Sequence, residues 1–162
     1  MKKLIILLIT IFFANIVYAG DFNVYKLENG QTVVIQEVKT NPIVTIDTWI
    51  KTGSINENAQ NNGVSHFLEH LFFKGSTNHA PGEFDKILET KGAITNAATS
   101  KDFTHYYVTI PSKDFDLALE MHSDMLLHPL IPRKELEKER KVVIEEIMKD
   151  ANSPNTLVTT IW

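Results

Sequence analysis

No cysteine occurs among the 162 residues. That excludes a disulfide framework and a lipoprotein attachment site, so the fold must be held by its core alone. Positive charge is also in deficit, with 16 basic against 20 acidic residues and a formal net charge of −4. Nothing in that balance points to nucleic acid or an anionic membrane surface as a partner. No internal repeat is visible. The one long apolar run, Leu4 to Val17, is shorter than the roughly 20 residues needed to span a bilayer.

That run follows Met1-Lys2-Lys3 and ends in Val17-Tyr18-Ala19, the layout of a secretory signal peptide cut before Gly20. An uncleaved anchor is the alternative. Cleavage would remove Lys2 and Lys3 and leave 14 basic against 20 acidic residues, a charge of −6. The expected organisation is therefore a leader over 1–19 and one domain over 20–162, exported to a bacterial periplasm or secreted, with no stable membrane insertion afterwards. With 43% hydrophobic and 22% charged residues, the composition is that of an ordinary globular domain.

What the chain does contain is centred on Ser65-His66-Phe67-Leu68-Glu69-His70-Leu71-Phe72-Phe73-Lys74-Gly75-Ser76. If residues 64–73 are helical, His66, Glu69 and His70 fall within about 100° of one another, flanked by apolar residues. Two imidazoles and a carboxylate on a buried helix are costly unless satisfied, and a divalent cation would satisfy them with both histidines neutral. The same pattern without context also fits two core histidines bonded to backbone.

The spacing is H-x-x-E-H, the inverted form of the H-E-x-x-H zinc signature. Together with the Phe73-Lys74-Gly75-Ser76 exit it resembles the pitrilysin and insulinase family of zinc metallopeptidases, which includes the mitochondrial processing peptidases. The resemblance implies that His66 and His70 bind one zinc ion and that Glu69 is general base on the zinc-activated water. It covers nearly all of residues 21–162, yet family members are much longer and carry a second, similar half. On that footing the chain corresponds to the N-terminal portion only.

Around this motif, Phe22 to Leu27 and Thr32 to Ile35 flank Asn29-Gly30 as a hairpin, and Ile43 to Ile50 is β-branched enough for a third strand. Asn56 to Gly63 is a polar entry loop, and Pro81 to Glu89 a helix ending before Gly92. Ala93 to Thr99 and Phe103 to Ile110 are expected to pair as antiparallel strands. Ala97 and Ala98 leave backbone accessible, so an extended peptide could add there as another strand; a plain packed strand is the bland alternative. In the resembled family the strand matching Asn96, Ala97, Ala98 and Thr99 holds substrate backbone.

Ser112 is expected to cap a helix whose core positions are Phe115, Leu119 and Leu126. His79, His105, His122 and His128 have no companion ligand at helical spacing and are read as ordinary residues. The last helix starts near Pro132. Its phase puts Glu139 about 20° from Glu146, with Val143 and Leu136 nearby and the lysines opposite, while Glu145 points toward the lysine face. A zinc site with two histidines lacks its usual third protein ligand, and Glu146, 76 residues after His70, would supply it. Ion pairs to Arg140 or a lysine are the alternative for Glu139 and Glu146. The resemblance agrees with the ligand and adds Glu139, two turns earlier, as a catalytic support.

The expected fold is α/β in the sense of an α+β sandwich, with a mostly antiparallel sheet covered by helices. The expected function is an exported zinc endopeptidase acting on extended or unfolded peptides. A non-catalytic remnant or subunit that needs a second homologous half is the alternative. An S-ribosylhomocysteinase-like enzyme shares the inverted motif but requires a cysteine, which this chain lacks. Two histidines and a glutamate would also accept cobalt or manganese.

Overall fold

The computed structural model describes residues 22–151, so the leader expected at 1–19 lies outside the described residues. Two units are distinct within it, one ending at Asn41 and one beginning at Pro42.

The first unit is a hairpin. Strands β1 (Phe22–Lys26) and β2 (Thr32–Gln36) pair antiparallel from Phe22↔Gln36 to Lys26↔Thr32. The turn works because Gly30 takes φ +87, a left-handed conformation that costs glycine nothing. Its amide reaches the Leu27 carbonyl at 2.9 Å, and the Asn29 side chain accepts from the Gln31 amide at 3.0 Å. The Asn-Gly signal marks the position where the chain reverses.

The second unit is built on a sheet of order β3-β5-β4, from β3 (Ile43–Ile50), β4 (Ile94–Thr99) and β5 (Thr104–Pro111). Both outer strands run antiparallel to β5, in registers Ile43↔Pro111 to Ile50↔Thr104 and Ile94↔Thr109 to Thr99↔Thr104. Four helices accompany it: α1 (Val64–Phe72), α2 (Glu83–Thr90), α3 (Phe115–Leu127) and α4 (Arg133–Ala151). The mostly antiparallel sheet covered by helices is thus as the sequence implies.

Strand alternation divides the sheet into two faces. Tyr106, Val108 and Ile110 are each no more than 2% exposed and pack with Phe84, Leu88, Ala118, Met121 and Met125 from α2 and α3. Full burial of side chains this size contributes about 1.5–3 kcal/mol each. On the other face Ile43, Trp49 and Ile94 are exposed, and Trp49 stacks on His105 with ring centroids 4.6 Å apart.

Helix α3 corrects the expectation made for it. Ser112 opens a short 3-10 turn, Ser112–Asp114, and the helix proper begins at Phe115 with no side-chain cap. Phe115 and Leu119 are 37% and 43% exposed, while Ala118, Met121, His122, Asp124 and Met125 are buried. Leu126 does pack against the core. Apolar residues occupy most of the circumference of this helix, so size is a poor guide to its inner face. Ala118 admits close approach to the sheet and the flexible methionines fill what remains. Buried His122 finds the Thr48 hydroxyl at 2.9 Å; burial pushes its pKa down, against an opposing pull from the Asp47 carboxylate.

Candidate metal centre

The helix carrying the histidines is fixed at both ends. Gly63 precedes it at φ +88, and Glu57 caps its open amides, one carboxylate oxygen accepting from Gly63 N and the other from Ser65 N, both at 2.7 Å. A carboxylate there also complements the positive end of the helix. The Ser65 hydroxyl, the Ser65 amide and the Gly63 amide together hold the Glu57 carboxyl below its usual range. At the exit Phe73 is the last residue in helical conformation and Gly75 turns the chain at φ +111. Of the helix itself only Ser65 and Leu71 are buried; His66, Glu69 and His70 are half-buried. The helix therefore lies less deep than its apolar flanks imply.

Helix α4 packs against α1 and presents Glu139, Val143 and Glu146 to it. Glu139 and Val143 are buried at 8%, Glu146 is half-buried and Glu145 exposed, in the order that helical phase predicts. Nε2 of His70 lies 3.4 Å from Oε2 of Glu146 and Nε2 of His66 lies 3.7 Å from the same oxygen. The three donor atoms are all within 4.8 Å of one another, and the two imidazole planes stand at 87°. Tetrahedral zinc at about 2.0–2.2 Å from each ligand spaces its donors about 3.3 Å apart. The site's spacing fits that ion.

His70 gives a second argument. Its Nδ1 meets Oε2 of Glu139 at 3.2 Å, and that carboxylate is held by Lys74 at 2.9 Å through its other oxygen. An acceptor at Nδ1 places the ring proton there and leaves Nε2 as a lone pair. The approach of Nε2 to the Glu146 carboxylate at 3.4 Å is satisfied either by a proton on Nε2 or by a cation, and a metal ion would serve all three donors at once. Glu139 does meet a lysine, but it also orients the ligand ring.

Glu69 stands beside this group, not in it. Its Oε2 accepts a hydrogen bond from the Thr99 hydroxyl, and its charge adds to the burial that pushes the neighbouring Tyr106 hydroxyl up. Glu69, the three donors and Asn96 line one open cleft of about 480 Å³. The four strand residues divide by alternation: Thr99 reaches Glu69 and Ala97 packs against the core on one face, while Asn96 and Ala98 are exposed on the other, Asn96 at the border of the cleft with its Oδ1 accepting from the Ala97 amide at 2.9 Å. Among the described residues the metal-capable group is His66, His70 and Glu146; none of the other histidines joins it. The Lys74 and Thr99 contacts are not singled out by spacing, since their partners Glu139 and Glu69 come from distant segments.

Known proteins resemble the chain over most of its length. The family pattern described as Insulinase (Peptidase family M16) matches residues 32–161. The zinc protease YmxG of Bacillus subtilis is 38% identical over 134 residues, 83% of this chain and 33% of that protein. Subunit 1 of the bovine mitochondrial cytochrome b-c1 complex is 35% identical over 138 residues, 85% of this chain and 28% of that protein. The crystal structure of a protease from Helicobacter pylori superimposes with a TM-score of 0.80 at 35% identity, over 85% of this chain and 33% of that one. The chain spans about a third of the length of these relatives.

Proposed function

The chain belongs to the insulinase family of peptidases, and from that premise we propose that it is the zinc-binding portion of an exported endopeptidase that hydrolyses extended or unfolded peptides. The observation that carries this reading is the convergence of His66, His70 and Glu146 on one side of a cleft with Glu69 beside them. His66, His70 and Glu146 would hold zinc, and the bound ion would supply the Lewis acidity that makes water a competent nucleophile near neutral pH. Glu69 takes the proton from the attacking water and delivers it to the departing amine. Glu139 and Lys74 keep the His70 ring in its ligating orientation. Strand β4 is at the edge of its sheet, so a substrate in extended form can add to it by main-chain hydrogen bonds once the Asn96 side chain releases the Ala97 amide it holds at 2.9 Å. Export rests on the leader pattern at 1–19.

A second reading has support of its own. One relative is named as subunit 1 of the mitochondrial cytochrome b-c1 complex, and the chain covers under a third of it. In that reading residues 42–151 hold the metal and need a second, homologous half to retain substrate. Zinc content by mass spectrometry, with cleavage of an unfolded reporter peptide, separates the two. Glu146→Gln is expected to lose both stoichiometric zinc and cleavage, and Glu145→Gln neither. Zinc without cleavage in the unaltered chain would favour the subunit reading; no zinc in any sample would overturn the metal assignment.

A further inference from the structure

A carboxylate that must accept a proton at one moment and release it to a specific nitrogen at the next has to be held still, and Glu69 is a side chain with three rotatable bonds on a half-buried helix. Freezing such a side chain costs conformational entropy, so a partner is needed to select one rotamer. The structure offers one. Thr99 is the last residue of β4 and its hydroxyl donates to Oε2 of Glu69.

The direction of that bond follows from the neighbours. Thr104, buried and paired with Thr99 across the strands, gives its hydroxyl proton to the Thr52 carbonyl at 2.9 Å. Its oxygen lies 3.4 Å from that of Thr99, too far to compete with a carboxylate in direct contact. The Thr99 proton therefore goes to Glu69. The donor itself is rigid. Ser100 N closes onto the Phe103 carbonyl at 2.8 Å, and the turn is backed by Ser54 N on Ser100 O and Ile55 N on Lys101 O at 2.7 Å. A Cβ at Gly53 would collide with the carbonyls of Ser100 and Lys101, so this loop sits directly against the turn. Threonine, branched at Cβ, adds a stiff χ1.

We propose that Thr99 is a positioning residue: its hydroxyl holds Oε2 of Glu69, leaving Oε1 as the oxygen that takes and returns the proton. The role rests on the peptidase reading given above. It also ties the strand that would hold substrate to the base that would act on it, since Asn96 and Thr99 belong to the same β4.

The test uses the full chain with Thr99→Val, which keeps shape and removes the hydroxyl, and Thr99→Ser, which keeps the hydroxyl. On zinc-loaded protein, Thr99→Val is expected to lower kcat on the order of 10- to 100-fold with KM and zinc content unchanged, and Thr99→Ser to recover most of it. Equal losses in both variants, or a change in KM alone, would overturn the proposal. A second arm needs no activity. In metal-free protein, Thr99→Val is expected to lower Tm on the order of 5 °C, and to do so far less when Glu69 is already alanine. Equal shifts in the two backgrounds would show that Thr99 does not act through Glu69. If the unaltered chain cleaves nothing, the peptidase reading fails while this thermal cycle still decides the contact.

Discussion

His66 and His70 meet Glu146 across an open cleft, whereas His79 and the exposed His128 meet the buried carboxylate of Asp124. Each group sets two histidines against one carboxylate, but the presented atoms differ. Toward Asp124 each imidazole offers Nδ1, at 2.9 and 3.2 Å, and the Ser76 hydroxyl and the Asn78 amide join them. Burial works to raise this carboxyl, but those four hydrogen bonds outweigh it and hold its pKa at about 2. Donors fill the roughly four lone-pair positions of the carboxylate, which leaves no place for a cation. In the cleft, His70 has its Nδ1 occupied by Glu139 and turns Nε2 outward. Acceptors turned toward one another could take a metal ion, whereas donors saturating an acceptor make a clamp.

The largest effect should come from the open group without disturbing its ligands. Glu69→Gln is expected to reduce kcat about 10²- to 10⁴-fold with zinc retained, as read by single-substrate kinetics beside metal analysis; loss of zinc instead would mean that Glu69 ligates. Next comes the atom that distinguishes the two groups. Glu139→Gln removes the charge that Lys74 balances and weakens the hold on His70 Nδ1, so zinc affinity in a chelator competition should fall about 10- to 100-fold. Unchanged affinity would remove Glu139 from the site.

The closed group should respond in stability and not in metal. Asp124→Asn leaves some of the four donors without a charged acceptor and is expected to cost about 1–3 kcal/mol of unfolding free energy, with zinc affinity unaltered. Because the folded carboxyl lies below its unfolded value, its contribution is complete above about pH 4 and disappears as pH falls toward 2. Acid unfolding of the unaltered chain should therefore steepen in that window, and the asparagine variant should lack that component. A matching loss of zinc would show that the clamp also sets the ligand geometry.

What could be read in advance was what repeats within one element. Ile43–Ile50 declares itself as a strand by β-branching, and Glu146 separates from Glu145 by helical phase. Phase carries no information about a partner on another element. Spacing leaves His79 unaccompanied because Asp124 lies 45 residues away, and it is silent on the Thr99 contact because Glu69 lies 30 residues back. Helix α3 departs from its pattern for a different reason: its inner face is set by the close approach that Ala118 allows, which hydrophobicity does not encode.

The entry to α1 holds a third carboxylate and completes the comparison at its weak end. Glu57, like Asp124, is an acceptor met only by donors, the Gly63 and Ser65 amides, and its carboxyl too is held below the usual range. It is half-buried, not buried, so water and salt screen much of what it contributes. Glu57→Gln should cost only about 0.5–1 kcal/mol, the usual value of a lost helix cap moderated by exposure, and the cost should shrink as pH falls into the carboxylate range, where the native group is protonated as well. Raising ionic strength should narrow the difference between Glu57→Gln and the unaltered chain while leaving that for Asp124→Asn nearly intact. Equal salt sensitivity at the two carboxylates would mean that burial is not what separates a clamp from a cap.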